Sequence, residues 1–108
     1  MKEKLKVLFI CNQNKNRSKT AEMLFKDKFE TRSAGLYNQK PVSSKDLLWA
    51  DIIIVMEEEQ DQEIAKRFPK EYLQKRIISL NISDTYVYNN EQLKEELKSK
   101  MSEFSHIF

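Results

Sequence analysis

One cysteine, one histidine, one glycine and two prolines in 108 residues exclude several kinds of protein at the outset. A single thiol closes no intramolecular disulfide, and one Cys with one His gives too few ligands for a tetrahedral zinc site. Disulfide and metal staples are therefore not expected. Scarce Gly and Pro rule out collagen-like and low-complexity chains. No apolar run exceeds five residues, at 7–11 and 52–56, whereas a membrane-spanning helix needs roughly 20. No transmembrane segment is expected. Met1-Lys2-Glu3-Lys4-Leu5-Lys6 leads into a strand-like run without the apolar stretch and small-residue cleavage site of a signal peptide, so the cytoplasm is the expected location.

Neither sign of charge dominates, with 19 Lys and Arg against 17 Asp and Glu. The balance hides an asymmetry: residues 1–50 carry 11 basic and 5 acidic side chains, residues 51–108 carry 8 and 12. The first half suits an anion, although Lys-rich segments are also ordinary solvated faces. With 40% apolar residues in periodic runs, the chain can bury a small core. We expect a single domain, 1–108.

Leu5-Lys6-Val7-Leu8-Phe9-Ile10-Cys11 is apolar nearly throughout and rich in β-branched and aromatic residues, as in a strand covered on both faces. A wholly polar loop, 12–17, follows. Ser18 can cap a helix that places Ala21, Leu24, Phe25 and Phe29 on one face. A second short strand at 31–34 ends at Gly35, read as a turn that other residues resist. Ser43 or Ser44 caps a brief helix through Trp49. Residues 51–56 form the clearest buried strand. Residues 57–68 read as a helix, acidic at its start and basic at its end, stopped by Pro69. A fourth strand at 76–80, a loop at 81–89 and a last helix at 91–104 complete the chain, with Leu93, Leu97, Met101 and Phe104 on the buried face of that helix. Alternating strands and helices predict a three-layer αβα domain around a four-stranded parallel sheet, and the order expected for it, with the first strand central, is 2-1-3-4. Ligands in such sheets bind beyond the carboxyl ends of the strands, where the strand order reverses, and with the first strand central the loop after Cys11 lies there.

Cys11 and Arg17 bracket that loop, and Ser18 follows. A loop wrapping back before it enters a helix turns its N–H groups inward and forms an anion cradle at the positive end of the helix dipole. Arg17 can close the cradle with two parallel hydrogen bonds to an oxyanion. Cys11 sits at its floor, where the N–H groups, Arg17 and the Ser18 hydroxyl favour a thiolate. A thiolate in an anion cradle suits phosphoryl transfer from a monoester. Asn12, Gln13, Asn14, Lys15 and Asn16 supply the cradle walls. With no glycine in the loop, Asn12, Asn14 and Asn16 are the residues able to accept left-handed backbone, and Asn14 is the expected brace. Lys15 and Lys19 raise the local potential.

Val7-Leu8-Phe9-Ile10-Cys11-Asn12-Gln13-Asn14-Lys15-Asn16-Arg17-Ser18 resembles the Cys-x5-Arg-Ser signature of the low-molecular-weight protein tyrosine phosphatases. The resemblance extends through Thr20-Ala21-Glu22, Ser33-Ala34-Gly35 and residues 51–57. It is closer to a short bacterial branch of the family, through Trp49-Ala50-Asp51 and Ile82-Ser83-Asp84-Thr85-Tyr86. The resemblance implies that Cys11 is the nucleophile, that Arg17 holds the equatorial oxygens, that Ser18 hydrogen-bonds the thiolate and that Asn14 shapes the loop. It also implies Asp84 as general acid and then base, Tyr86 beside the substrate, and no metal or organic cofactor. Three departures stand out. The segment between Gly35 and Trp49 is cut to residues 36–48, with Tyr37 as its aromatic, Thr85 replaces the family's Pro, and Asn16 stands where many relatives have a second cysteine.

The expected substrate is a phosphorylated protein or small aryl phosphate, and the expected state a monomer or weak dimer, with no nucleic-acid or membrane partner. Alternatives from other classes are a weakly catalytic phosphate- or phosphoprotein-binding module, and an arsenate reductase relying on an external thiol. Nucleic-acid binding lacks aromatic-basic interleaving or a recognition-helix pattern. Trp49 reads as core, Glu57-Glu58-Glu59 as a helix start, and His106 receives no role.

Overall fold

The computed structural model describes residues 4–107; the first three residues of the amino-terminal lead and Phe108 lie outside it. Four strands, β1 (Lys6–Cys11), β2 (Glu30–Gly35), β3 (Ile52–Val55) and β4 (Arg76–Ser79), form one parallel sheet of order β2-β1-β3-β4. β1 is central, with Cys11 opposite Gly35 on one side and Ile10 opposite Val55 on the other. The helices are α1 (Arg17–Phe25), α2 (Ser44–Trp49), α3 (Glu58–Arg67), α4 (Pro69–Gln74) and α5 (Glu91–Ser102).

Strand alternation sorts the apolar runs onto two faces. Val7, Phe9, Ile52, Ile54 and Met56 pack with Leu93, Leu97 and Met101 of α5 and Ala21 of α1. Leu8, Ile10, Ile53 and Val55 pack with Leu47 of α2 and Ile64 of α3. Both faces of β1 and β3 are thus covered, which explains why their sequences are continuously apolar. Cys11 falls on the α1/α5 face with Val7 and Phe9.

Three expectations need correction. Ser18 does not cap α1: Asn16 is the N-cap, and Ser18 lies one residue inside the helix, its hydroxyl turned to Cys11 and Asn14. Pro69 ends one helix and also begins α4 at its first position, where its missing N–H has no intrahelical partner to lose. Gly35 has no positive φ. It is needed for close approach, because a Cβ there would lie 3.0 Å from both Asn12 O and Asn14 N. The cap of α2 agrees with the reading: Ser43 accepts from the Asp46 N–H, and the Asp46 carboxylate accepts from that of Ser43.

Candidate active site

β1 delivers Cys11 to the end of the sheet, and the loop turns there on Asn14, whose φ is 53°. Asn12 and Asn16 stay out of the left-handed region, so of the three asparagines able to accept it in this loop Asn14 alone does. The other positive-φ asparagines among the described residues, Asn81 and Asn89, lie elsewhere. The Asn12 carbonyl accepts the N–H groups of Leu36 and Tyr37 at 2.9 and 2.8 Å. Its side-chain oxygen accepts from Gln60 Nε2 at 3.1 Å. Gln60, 1% exposed, takes the N–H groups of Met56 and Glu57 on its own oxygen, at 2.7 and 2.9 Å. The loop after Cys11 is thereby pinned to the ends of β2 and β3.

Cys11 Sγ is buried, 2.9 Å from Ser18 Oγ, and accepts the Asn14 N–H at 3.2 Å. Ser18 in turn donates to Asn14 Oδ1 at 2.7 Å. A hydroxyl has one proton. With that proton on Asn14, the thiol donates to Ser18; a thiolate requires the Ser18 proton to turn to sulfur and Asn14 to present its amide N–H to the Ser18 oxygen. Asparagine can do either.

Arg17 is 1% exposed. Its Nη1 donates to Glu57 Oε1 at 2.5 Å and to the Ile82 carbonyl at 2.7 Å. A buried guanidinium needs such partners. Its Nε is buried without a hydrogen-bond partner, and the Asp84 carboxylate, 58% exposed, stands 3.7 Å away, too far for a hydrogen bond. An unsatisfied buried donor is costly unless something accepts from it. Arg17 thus has binding capacity left for an oxyanion.

The structure brings Cys11, Asn12, Asn14, Asn16, Arg17, Ser18 and Asp84 to one end of the sheet, while Gln13, Lys15 and Lys19 are exposed around the loop. The Tyr86 hydroxyl donates to Glu96 Oε2 on α5 at 2.6 Å, a bond that raises its ionisation above the ordinary phenol value. Tyr37 is exposed beneath the Arg67 guanidinium, 5.0 Å from the ring centroid. Trp49 packs against the core, with Arg32 over its ring at 4.2 Å. The sequence marked Glu57 only as a helix start and did not single out Gln60; their E-x-x-Q spacing at a strand-to-helix junction is a capping pattern and was the available signal. A cavity of about 610 Å³ at the opposite end of the sheet is lined by Lys4, Lys6, Lys26, Phe29, Glu30 and Thr31, with no cysteine.

The sequence matches no protein-family profile and no curated protein. Solved structures do match. A low-molecular-weight protein tyrosine phosphatase from T. tengcongensis is 19% identical, with a TM-score of 0.78 over 96% of this chain and 99% of that one. The tyrosine phosphatase AmsI of Erwinia amylovora is 17% identical, with a TM-score of 0.78 over 97% and 93%. The YwlE arginine phosphatase of Geobacillus stearothermophilus is 17% identical, with a TM-score of 0.73 over 95% and 92%. Strand order, the loop after the central strand and these likenesses agree: the chain has the fold of the low-molecular-weight protein tyrosine phosphatases.

Proposed function

We propose that the protein is a phosphoric monoester hydrolase that works through a cysteinyl-phosphate, with protein phosphotyrosine or another aryl phosphate as substrate, in the cytoplasm. The observation that carries this reading is one loop holding both a buried cysteine sulfur, contacted by a hydroxyl and an N–H, and a buried arginine with an uncommitted donor. Phosphate oxygens would be held by the loop N–H groups and Arg17. Cys11 Sγ attacks phosphorus; the S–P bond forms as the bond to the leaving oxygen breaks, and Asp84 gives that oxygen its proton. Water then attacks phosphorus and passes a proton to Asp84. The S–P bond breaks, releasing phosphate and the thiolate. Fold neighbours support the sequence of events: one YwlE variant is described with a phosphorylated active-site serine, and Wzb from Escherichia coli K30 with phosphate bound.

Hydrolysis of p-nitrophenyl phosphate in EDTA, inhibited by vanadate and abolished by Cys11→Ser, is the expected result. Vanadate binding without turnover would favour a binding module, and neither would overturn the reading. Because the neighbours include enzymes described as tyrosine and as arginine phosphatases, phosphotyrosine and phosphoarginine peptides compared side by side assign the substrate class.

A further inference from the structure

The segment that carries Asp84, residues 80–90, contains no proline, and Ser83, Asp84 and Thr85 are all exposed. Neither a stiff backbone nor burial sets the position of the carboxylate. The segment turns near its two ends at asparagines of positive φ, Asn81 at 57° and Asn89 at 63°. Its first half is tied down by the Arg17 bond to the Ile82 carbonyl, part of the site already described. Its second half is held by two side-chain hydroxyls. Thr20 Oγ1 accepts the Asn89 N–H at 2.8 Å and donates to the Asn16 carbonyl at 2.7 Å. The second of these is the ordinary back-bond of a helical threonine. The first is not: it joins residues 69 apart in sequence, through a side chain 1% exposed. One hydroxyl thus links the end of the phosphate loop to the end of the acid segment. The Tyr86 hydroxyl makes the other tie, to Glu96 on α5.

We infer that Thr20 and Tyr86 form a two-point clamp that holds Asp84 where it can protonate the leaving oxygen, so that both are positioning residues; this rests on the phosphatase reading above. The clamp takes over the work that a proline at position 85 would do by stiffening the loop. A phenol is protonated throughout the neutral range, and the Glu96 bond raises its ionisation further, so the hydroxyl is able to donate there.

A misplaced acid matters most when the leaving group is poor. The test measures kcat/KM for wild type, Thr20→Val, Thr20→Ser and Tyr86→Phe on phenyl phosphate, whose leaving oxygen needs a proton, and on p-nitrophenyl phosphate, whose leaving oxygen barely does. Thr20→Val and Tyr86→Phe should each lose about tenfold on phenyl phosphate and under about threefold on p-nitrophenyl phosphate, with Thr20→Ser like wild type on both. Equal losses on both substrates, or none, would overturn the clamp. A wild type that hydrolyses neither substrate would instead overturn the phosphatase reading and the clamp with it. Should Thr20→Val fail to fold, Tyr86→Phe decides alone, because that ring keeps its packing and loses only the hydroxyl.

Discussion

The Cys11 loop and the segment that carries Asp84 both leave carboxyl ends of strands in the same sheet, yet they are built differently. The first is buried or half-buried at every other position and braced from three sides: Leu36 and Tyr37 on the Asn12 carbonyl, Gln60 on the Asn12 side chain, and Ser18 between Cys11 and Asn14. The second exposes Ser83, Asp84 and Thr85, whose local side-chain bond is a 3.2 Å contact between the two hydroxyls. On the proposed phosphatase reading the jobs would differ accordingly. Oxyanion donors must be fixed before the charge develops, since any reorganisation adds to the barrier. An acid that serves the leaving group and then a water must reach solvent, and position alone is asked of it.

Breaking the rigid side should have the largest effects. Cys11→Ser should remove turnover while leaving phosphate or vanadate binding, as read by isothermal calorimetry. Arg17→Lys keeps the charge but loses the fork and the pairing geometry with Glu57, and kcat/KM should fall about 10²- to 10³-fold. Asn14→Asp keeps the size and the tolerance of positive φ, but an ionised carboxylate cannot donate to Ser18 when Ser18 turns to the sulfur. We expect roughly 10²-fold lower kcat/KM, with the melting temperature changed less than activity. Equal activity of Asn14→Asp and wild type would show that the Ser18 proton never needs to move. Gly35→Ala touches no reacting group, yet its Cβ would meet backbone atoms of Asn12 and Asn14. A stability loss of about 1–3 kcal/mol by denaturant titration should accompany loss of activity.

The smallest effect lies away from both loops. The Ser44 hydroxyl donates to Glu71, and this bond holds the Glu71 carboxyl below its ordinary value of 4.5. A depressed carboxylate stabilises the fold above its unfolded pKa, and that contribution fades as pH falls through the folded one. Ser44→Ala should therefore lower the melting temperature slightly at neutral pH, with the difference vanishing in acid. A difference that persists in acid would assign the Ser44 contribution to something other than the charge of Glu71.

Much of this was legible in the chain. Continuous apolar runs at β1 and β3 announced strands covered on both faces, and a polar loop between Cys11 and the helix marked the ligand end. Helix ends were harder. Asn16 occupies the N-cap position of α1 without a side-chain capping bond, while the Ser18 hydroxyl lies beside the sulfur, and nothing local to Asn-Arg-Ser says so. Pro69 stops α3 by rule, but whether a proline then starts another helix depends on what the next turn packs against. Glu57 reads locally as a helix start, and it is one, being the N-cap of α3. Only the fold also puts its carboxylate on Arg17, 40 residues away.

Composition and periodicity by themselves determined the class of fold, the loop that bears Cys11 and Arg17, and a count of cysteine and histidine too low for a disulfide or a tetrahedral Cys/His zinc site, whereas the strand order was settled by the fold. The fold class and the loop follow from short-range pattern, because side-chain alternation and helix spacing are properties of neighbouring residues. Tertiary structure alone decided which groups complete the site: Glu57 and the Ile82 carbonyl on Arg17, Gln60 on Asn12, and Thr20 on Asn89. Each of these bonds joins residues 40 or more positions apart. The physical reason is that a buried polar atom takes whichever partner the packed chain brings to it, and that choice is made by the fold as a whole rather than by its neighbours in sequence.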